Sequence, residues 1–162
     1  MGSAASALLS SRSLLLDLLT ALDGKTPAEV DESGARVRTP NNGALEGWGG
    51  KAPVGEWRGV TVDEGGGGSV VSIELAACNL LIRGDEQAAA VGSSLGRLSK
   101  LTAISLPRNY LTTINVPALG RLAVLDLSKN RIHQPLPEGL GRCRSLRTVD
   151  LSHNRFGSLF LP

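Results

Sequence analysis

The residues of this chain best placed to do chemistry are two carboxylates, Asp126 and Asp150, which open the same three letters, Asp-Leu-Ser, 24 residues apart. If neighbouring strands set those letters side by side, the carboxylates would lie about 5 Å apart. A pair that close could share a proton and act as acid and base, or could hold a cation. Cations crowd the same neighbourhood, namely Arg108, Lys129, Arg147 and His153. Solvated aspartates flanked by Lys129, Arg147 and His153 need no catalytic role, so an enzyme built on Asp126 and Asp150 is the remote alternative. The other constellations fail on spacing. His133 and His153 stand at different phases of the surrounding pattern and do not converge on a metal. No Ser-His-Asp or Cys-His set converges either. Gly49-Gly50-Lys51 resembles the end of a phosphate loop, but Leu45 stands at the first glycine position and Ala52 replaces the Ser or Thr. No catalytic residue, metal or cofactor is expected.

The elements that must position these side chains are written into a recurring line. Leu122 to Ile132 reads LAVLDLSKNRI, and Leu146 to Phe156 reads LRTVDLSHNRF. Leu101 to Leu111 (LTAISLPRNYL) and Val70 to Leu80 (VVSIELAACNL) fit the same L-x-x-L-x-L-x-x-N-x-L frame, the last with Cys78 in the Asn slot. The L-x-L step has period two, so Leu125 and Leu127 share one face of a strand and Asp126 faces the other way. One short strand cannot bury its face alone, so the copies must stack as coils of a solenoid with a parallel sheet. The Asn of each copy (Asn109, Asn130, Asn154) is expected to satisfy buried backbone groups of its own and the next coil. Stacking would align Glu74, Ser105, Asp126 and Asp150 in one surface row, and Ala77, Arg108, Lys129 and His153 in another.

This frame is the leucine-rich repeat. The spelling LxxLDLSxNxI followed by LPEGLGRC resembles the plant-type subfamily. Trp48 and the run Glu56-Trp57-Arg58-Gly59-Val60-Thr61-Val62-Asp63 resemble that subfamily's N-terminal cap, W…W-x-G-V-x-C-D, and Leu15 to Gly24 is similar to an L-x-x-L-x-x-x-x-D-G segment of algal relatives. The resemblance implies an α/β fold: a right-handed solenoid of about four coils, a parallel sheet on the concave face, and a helix and hairpin as N-terminal cap. It also implies a recognition surface of the kind found in receptor-like kinases and receptor-like proteins. The cap's usual cysteine pair is missing, because Val62 takes one place and no Cys lies near Trp57. Cys78 and Cys143 fall at different phases and read as buried thiols.

Composition narrows the classes further. The 162 residues suit one domain with a sizeable core. A net charge of +2 and 3% aromatics argue against a nucleic-acid partner and its stacking platforms. No apolar run approaches the roughly 20 residues that span a bilayer. Ala4 to Leu22 predicts an amphipathic helix, with Leu8, Leu15, Leu19 and Leu22 on one face, packed on the first coil. A signal peptide is the weaker reading, since Arg12 is the only positive charge there and Asp17 interrupts the apolar run. Met1-Gly2-Ser3-Ala4-Ala5-Ser6 fits the myristoylation pattern, so membrane association would require an acylated Gly2 or a receptor context. With no cap disulfide and no N-x-[ST] site, the chain leans towards an intracellular location, secretion or membrane attachment being the alternative.

The expected organisation is a helix and polar loop over 1–43, a cap with a hairpin over 44–69, and repeats over 70–162. Trp48 and Trp57 would cover the open end of the solenoid by packing. Glu56 to Val62 and Val70 to Leu75 would form the hairpin, with the glycine run between them at its tip. The excess in the long first repeat should bulge over Ile82 to Gly92 on the convex face, and Glu138 to Arg144 should make a helical or 3₁₀ turn. The last copy stops after Phe156 without a polar closing repeat. That points to a fragment of a longer array, or to an open end that meets a partner or a second copy. The functional expectation is a protein or peptide ligand on the concave face, held by Arg108, Asp126, Lys129, Arg147, Asp150 and His153. The alternative is the ectodomain part of a receptor-like kinase or receptor-like protein; no kinase signature is present in this chain.

Overall fold

The computed structural model describes the backbone of 3–23, with side chains at 11–18 and 20–22, and residues 45, 48, 52–63 and 68–157. Helix α1 (Ser3–Asp23) comes first. A short 3₁₀ turn, Val54–Glu56, leads into β1 (Val60–Val62), which pairs antiparallel with β2 (Val70–Glu74). Helix α2 (Gly84–Arg97) then connects to β3 (Ala103–Ser105), β4 (Val124–Asp126) and β5 (Thr148–Asp150), which continue the sheet in parallel. The strand order is β1-β2-β3-β4-β5, so each coil lies against its sequence neighbour. This is the expected leucine-rich-repeat solenoid.

The register shows why the sequence repeats as it does. Ile73, Ile104 and Leu125 are consecutive partners across the ladder, and each is at most 1% exposed. Leu75, Leu106 and Leu127 lie two residues on, at 0–3%. Burying each such side chain contributes about 1.5–3 kcal/mol relative to leaving it in water, and only the neighbouring coil supplies the cover. The ladder is closed by Leu75 N–H to Ser105 O, Leu106 N–H to Asp126 O and Leu127 N–H to Asp150 O, all 2.8 Å. Val149 is the next partner after Leu125 but is 44% exposed, because among the described residues nothing lies beyond β5.

The asparagines satisfy the turn, but in the opposite direction from that expected. Asn109 Oδ1 accepts the backbone N–H groups of Cys78 and Leu80 at 3.0 Å, and its Nδ2 donates to the carbonyls of Leu75, Leu106 and Pro107. Asn130 serves Leu106 and Leu111, and Asn154 serves Leu127 and Ile132. Each Asn therefore braces its own coil and the preceding one, not the next. That direction accounts for Cys78, whose coil has only the antiparallel β1 before it and so no preceding repeat turn to brace. Its thiol lies 3.4 Å from the Ala76 carbonyl, and burial pushes it up against the opposing pull of Arg58.

The long first repeat does not simply bulge. Its excess forms the 14-residue α2, with Asp85 and Glu86 in the first turn and Arg97 in the last, as the helix dipole favours. Ala88, Val91 and Leu95 face the core. Helix α1 packs on α2, and its described buried face is Ser11, Leu15, Leu18 and Leu22. Leu18 was absent from the expected face; the side chains of Leu8 and Leu19 lie outside the described residues. Gln87 joins the two helices: its Nε2 donates to Ala21 O at 3.0 Å and Leu81 O at 3.1 Å, while its Oε1 accepts Arg83 N–H at 2.8 Å. Asp17 and Arg97 add an exposed ion pair at 2.7 Å.

The two tryptophans pack at the β1 end, as expected. Their ring centroids are 5.6 Å apart, Trp48 Nε1 donates to Arg58 O and Trp57 Nε1 to Ala52 O. Arg12 stacks 5.3 Å from the Trp57 ring and also donates to Ala52 O. Gly59 adopts φ +74° where a Cβ would meet Glu74 O at 2.2 Å, so this cap turn requires glycine. Glu138–Arg142 forms the expected 3₁₀ turn, with Cys143 at its end. Cys78 and Cys143 are both buried and unpaired with each other. The tip of the hairpin at 64–67, the loop over 25–43 and the last residues from 158 lie outside the described residues.

Candidate functional site

The surface side of the sheet is built by the residues between the buried leucines. Glu74, Ser105, Asp126 and Asp150 are register partners in one row, as expected. Ser72, Ala103, Val124 and Thr148 form the row beside it. After β2, β3, β4 and β5 the chain passes through the left-handed region at Ala77, Arg108, Lys129 and His153, with φ of 53°, 57°, 55° and 56°, and after β2 again at Asn79, with φ of 53°. Non-glycine residues reach that region at a cost of about 1–2 kcal/mol. The Asn that follows in the last three copies offsets the cost through its hydrogen bonds. The turn leaves Arg108, Lys129 and His153 exposed in a third row.

Each carboxylate of the pair is already engaged. Asp126 Oδ1 accepts the Ser128 N–H at 2.9 Å, and Asp150 Oδ1 accepts the Ser152 N–H at 2.9 Å. The Ser152 backbone N–H, then its hydroxyl, hold Asp150 below the usual carboxylate range, with smaller help from His153 and Lys129. A carboxylate stabilised in its ionised form is a poor sharer of a proton. Among the described residues no three His, Cys, Asp or Glu side chains cluster as a metal site. His133 and His153 lie in different rows, and Arg147 stands just before β5, exposed, with its N–H on Ala123 O at 2.9 Å.

A fourth row is one that sequence reasoning did not single out. Tyr110, Arg131 and Arg155 each follow the Asn of their copy and are exposed. The Arg131 guanidinium lies 4.7 Å from the Tyr110 ring centroid, so the two rungs are stacked. The signal was available as the x after N in the repeat frame.

A parallel ladder braced by an Asn at every turn defines a leucine-rich-repeat solenoid. The leucine rich repeat family model matches residues 99–156. Human podocan-like protein 1 is 37% identical over 70 residues, which is 43% of this chain and 14% of that protein. The BIR2 ectodomain of Arabidopsis thaliana aligns with a TM-score of 0.56 at 26% identity, over 70% of this chain and 60% of that one. The leucine-rich-repeat ectodomain of the receptor kinase SOBIR1 from the same plant aligns at 0.59 and 22%, over 91% and 68%. The chain thus shares its fold with these plant ectodomains and spans only 14% of the curated relative's length. Its fold is the leucine-rich-repeat solenoid, and over residues 99–156 it is similar to leucine-rich-repeat proteins.

Proposed function

We propose that this chain is a protein-recognition scaffold whose ligand is a protein or peptide bound on the exposed face of the sheet. The observation that carries the reading is the stacking of variable, charged side chains in register on a rigid ladder: Arg108, Asp126, Lys129, Asp150 and His153, with Arg147 at the margin. A rigid sheet presents such groups without the ordering cost that a loop would incur. Asp126 and Asp150 are each held by the backbone N–H of the serine two residues on, which suits a fixed recognition surface. In this reading 1–43 and 44–69 act as the cap of the repeats over 70–162. The BIR2 and SOBIR1 ectodomains support a second reading, in which the array is the ligand-facing part of a larger receptor.

The test is affinity capture with the wild type and with Lys129→Glu and Asp150→Lys. A partner held by the wild type and released by either charge reversal supports the assignment. Capture that both reversals leave intact puts the binding face elsewhere.

A further inference from the structure

The net charge of +2 conceals a strong division along the chain. Residues 1–96 hold seven Lys and Arg against twelve Asp and Glu, whereas residues 97–162 hold ten against three, namely Asp126, Glu138 and Asp150. The repeats after α2 are therefore basic, and part of that charge is stacked. Arg108 and Lys129 occupy successive rungs of the left-handed row, and Arg131 and Arg155 successive rungs of the row after the Asn. All four are exposed, and among the described residues the ion pairs are Arg97–Asp17 and Lys100–Asp63, neither of which uses them. Two of the three carboxylates in this region sit in the neighbouring row and are tied to the Ser128 and Ser152 backbone.

We propose that the partner bound by this surface offers a short acidic stretch of polypeptide, laid across the coils along Arg108, Lys129, Arg131 and Arg155. The proposal rests on the recognition reading above and names the chemical class of its ligand. Adjacent coils are about 4.8 Å apart, so three of them offer a track of about 10 Å. An extended chain covers that in about three residues, which sets the run of Asp or Glu needed. The Tyr110 ring fixes the Arg131 guanidinium by its face and leaves its N–H edge to grip a carboxylate. Polypeptide is favoured over nucleic acid because these rows carry a single aromatic, Tyr110, with Arg131 over its ring, which gives successive bases no platform to stack on.

The experiment measures fluorescence anisotropy of a labelled peptide carrying a run of glutamates, its glutamine isostere, and a single-stranded oligonucleotide of equal charge. The glutamate peptide should bind about tenfold or more tightly than the isostere, and less tightly as salt rises. The double variant Arg131→Glu/Arg155→Glu should lose about tenfold, while Arg83→Glu, exposed at the start of α2, should change binding by less than about twofold. Amide chemical-shift mapping on the wild type should place the peptide on residues 108–131 and 153–155, a readout that does not depend on a variant folding. Equal binding of glutamate and glutamine peptides, indifference to the double reversal, or tighter binding of the oligonucleotide would each overturn the proposal. If the glutamate peptide fails while partner capture is still lost with Lys129→Glu, the ligand class is wrong and the recognition function stands.

Discussion

Asn109 reaches one coil back to Leu80: its Oδ1 accepts the Leu80 N–H at 3.0 Å, and that of Cys78 at the same distance. With its Nδ2 donating to three carbonyls, one side chain satisfies five backbone groups at a turn that water does not reach. Asn109→Ala leaves several of them buried and unpaired, at about 1–3 kcal/mol each when no water replaces the amide. The expected loss is about 3 kcal/mol or more, read as a lower urea midpoint. Asn154, half-buried in the last described coil, should cost about 1 kcal/mol as Asn154→Ala. Equal losses at the two positions would show that burial does not set the value of this ladder.

The docking of α1 depends on Gln87 in a similar way. Its amide joins the Ala21 carbonyl, the Leu81 carbonyl and the Arg83 N–H, so Gln87→Ala removes this link between the two helices and leaves the exposed Asp17–Arg97 pair. The apolar contact through Leu15, Leu18 and Leu22 remains. A loss of about 1–2 kcal/mol is expected, felt mainly by α1. Hydrogen exchange should quicken across α1 and stay unchanged in β3 and β4. Uniform acceleration through the sheet would mean that the helix and the repeats unfold as one unit.

Two glycines separate close packing from open surface. A Cβ on Gly139 would lie 2.4 Å from the Val116 carbonyl oxygen, which belongs to the backbone of the preceding coil. A Cβ on Gly120 would meet nothing within 4 Å. Gly139→Ala should therefore force the coils apart and destabilise by about 1–3 kcal/mol, while Gly120→Ala should stay within about 0.5 kcal/mol. Thermal midpoints of the two variants decide the matter, and similar values would show that the coils can shift freely.

The parts of this structure that the sequence disclosed are those whose physics is periodic. Leu125 and Leu127 announce a strand because their spacing serves one buried face, and the recurrence of Asp126 at Asp150 places the two in one row. The helix α2 was harder to see. Its stretch, GDEQAAAVGSSLGR, contains two interior glycines and few large apolar residues, so local preference for a helix is weak and packing against α1 and the core supplies the rest. The direction of the Asn bonds was equally hidden, since an amide can serve either neighbour and only the turn's geometry decides. The row of Tyr110, Arg131 and Arg155 was not legible as a unit because its letters share no common chemistry, and the contact between Tyr110 and Arg131 comes from the stacking of two coils.

Asp150 provides the sharpest test of whether the carboxylate row does chemistry. Ser152 stabilises its ionised form through the backbone N–H and the hydroxyl, so its folded-state value lies below that of the unfolded chain, about 3.9. A depressed carboxylate lends its support above the unfolded value and loses it as pH falls through the folded one. Whatever the Asp150–Ser152 turn contributes is thus in place above about pH 4 and disappears below it. NMR titration of the Asp150 carboxyl carbon should give a midpoint below the ordinary range. Ser152→Ala should raise it, and Lys129→Ala should raise it less, because the Lys129 charge is a smaller cause of the lowering than the hydroxyl. If the midpoint instead rose above the ordinary range and moved when Asp126 was changed to Asn, the two aspartates would be sharing a proton, and the acid–base reading of this row would return.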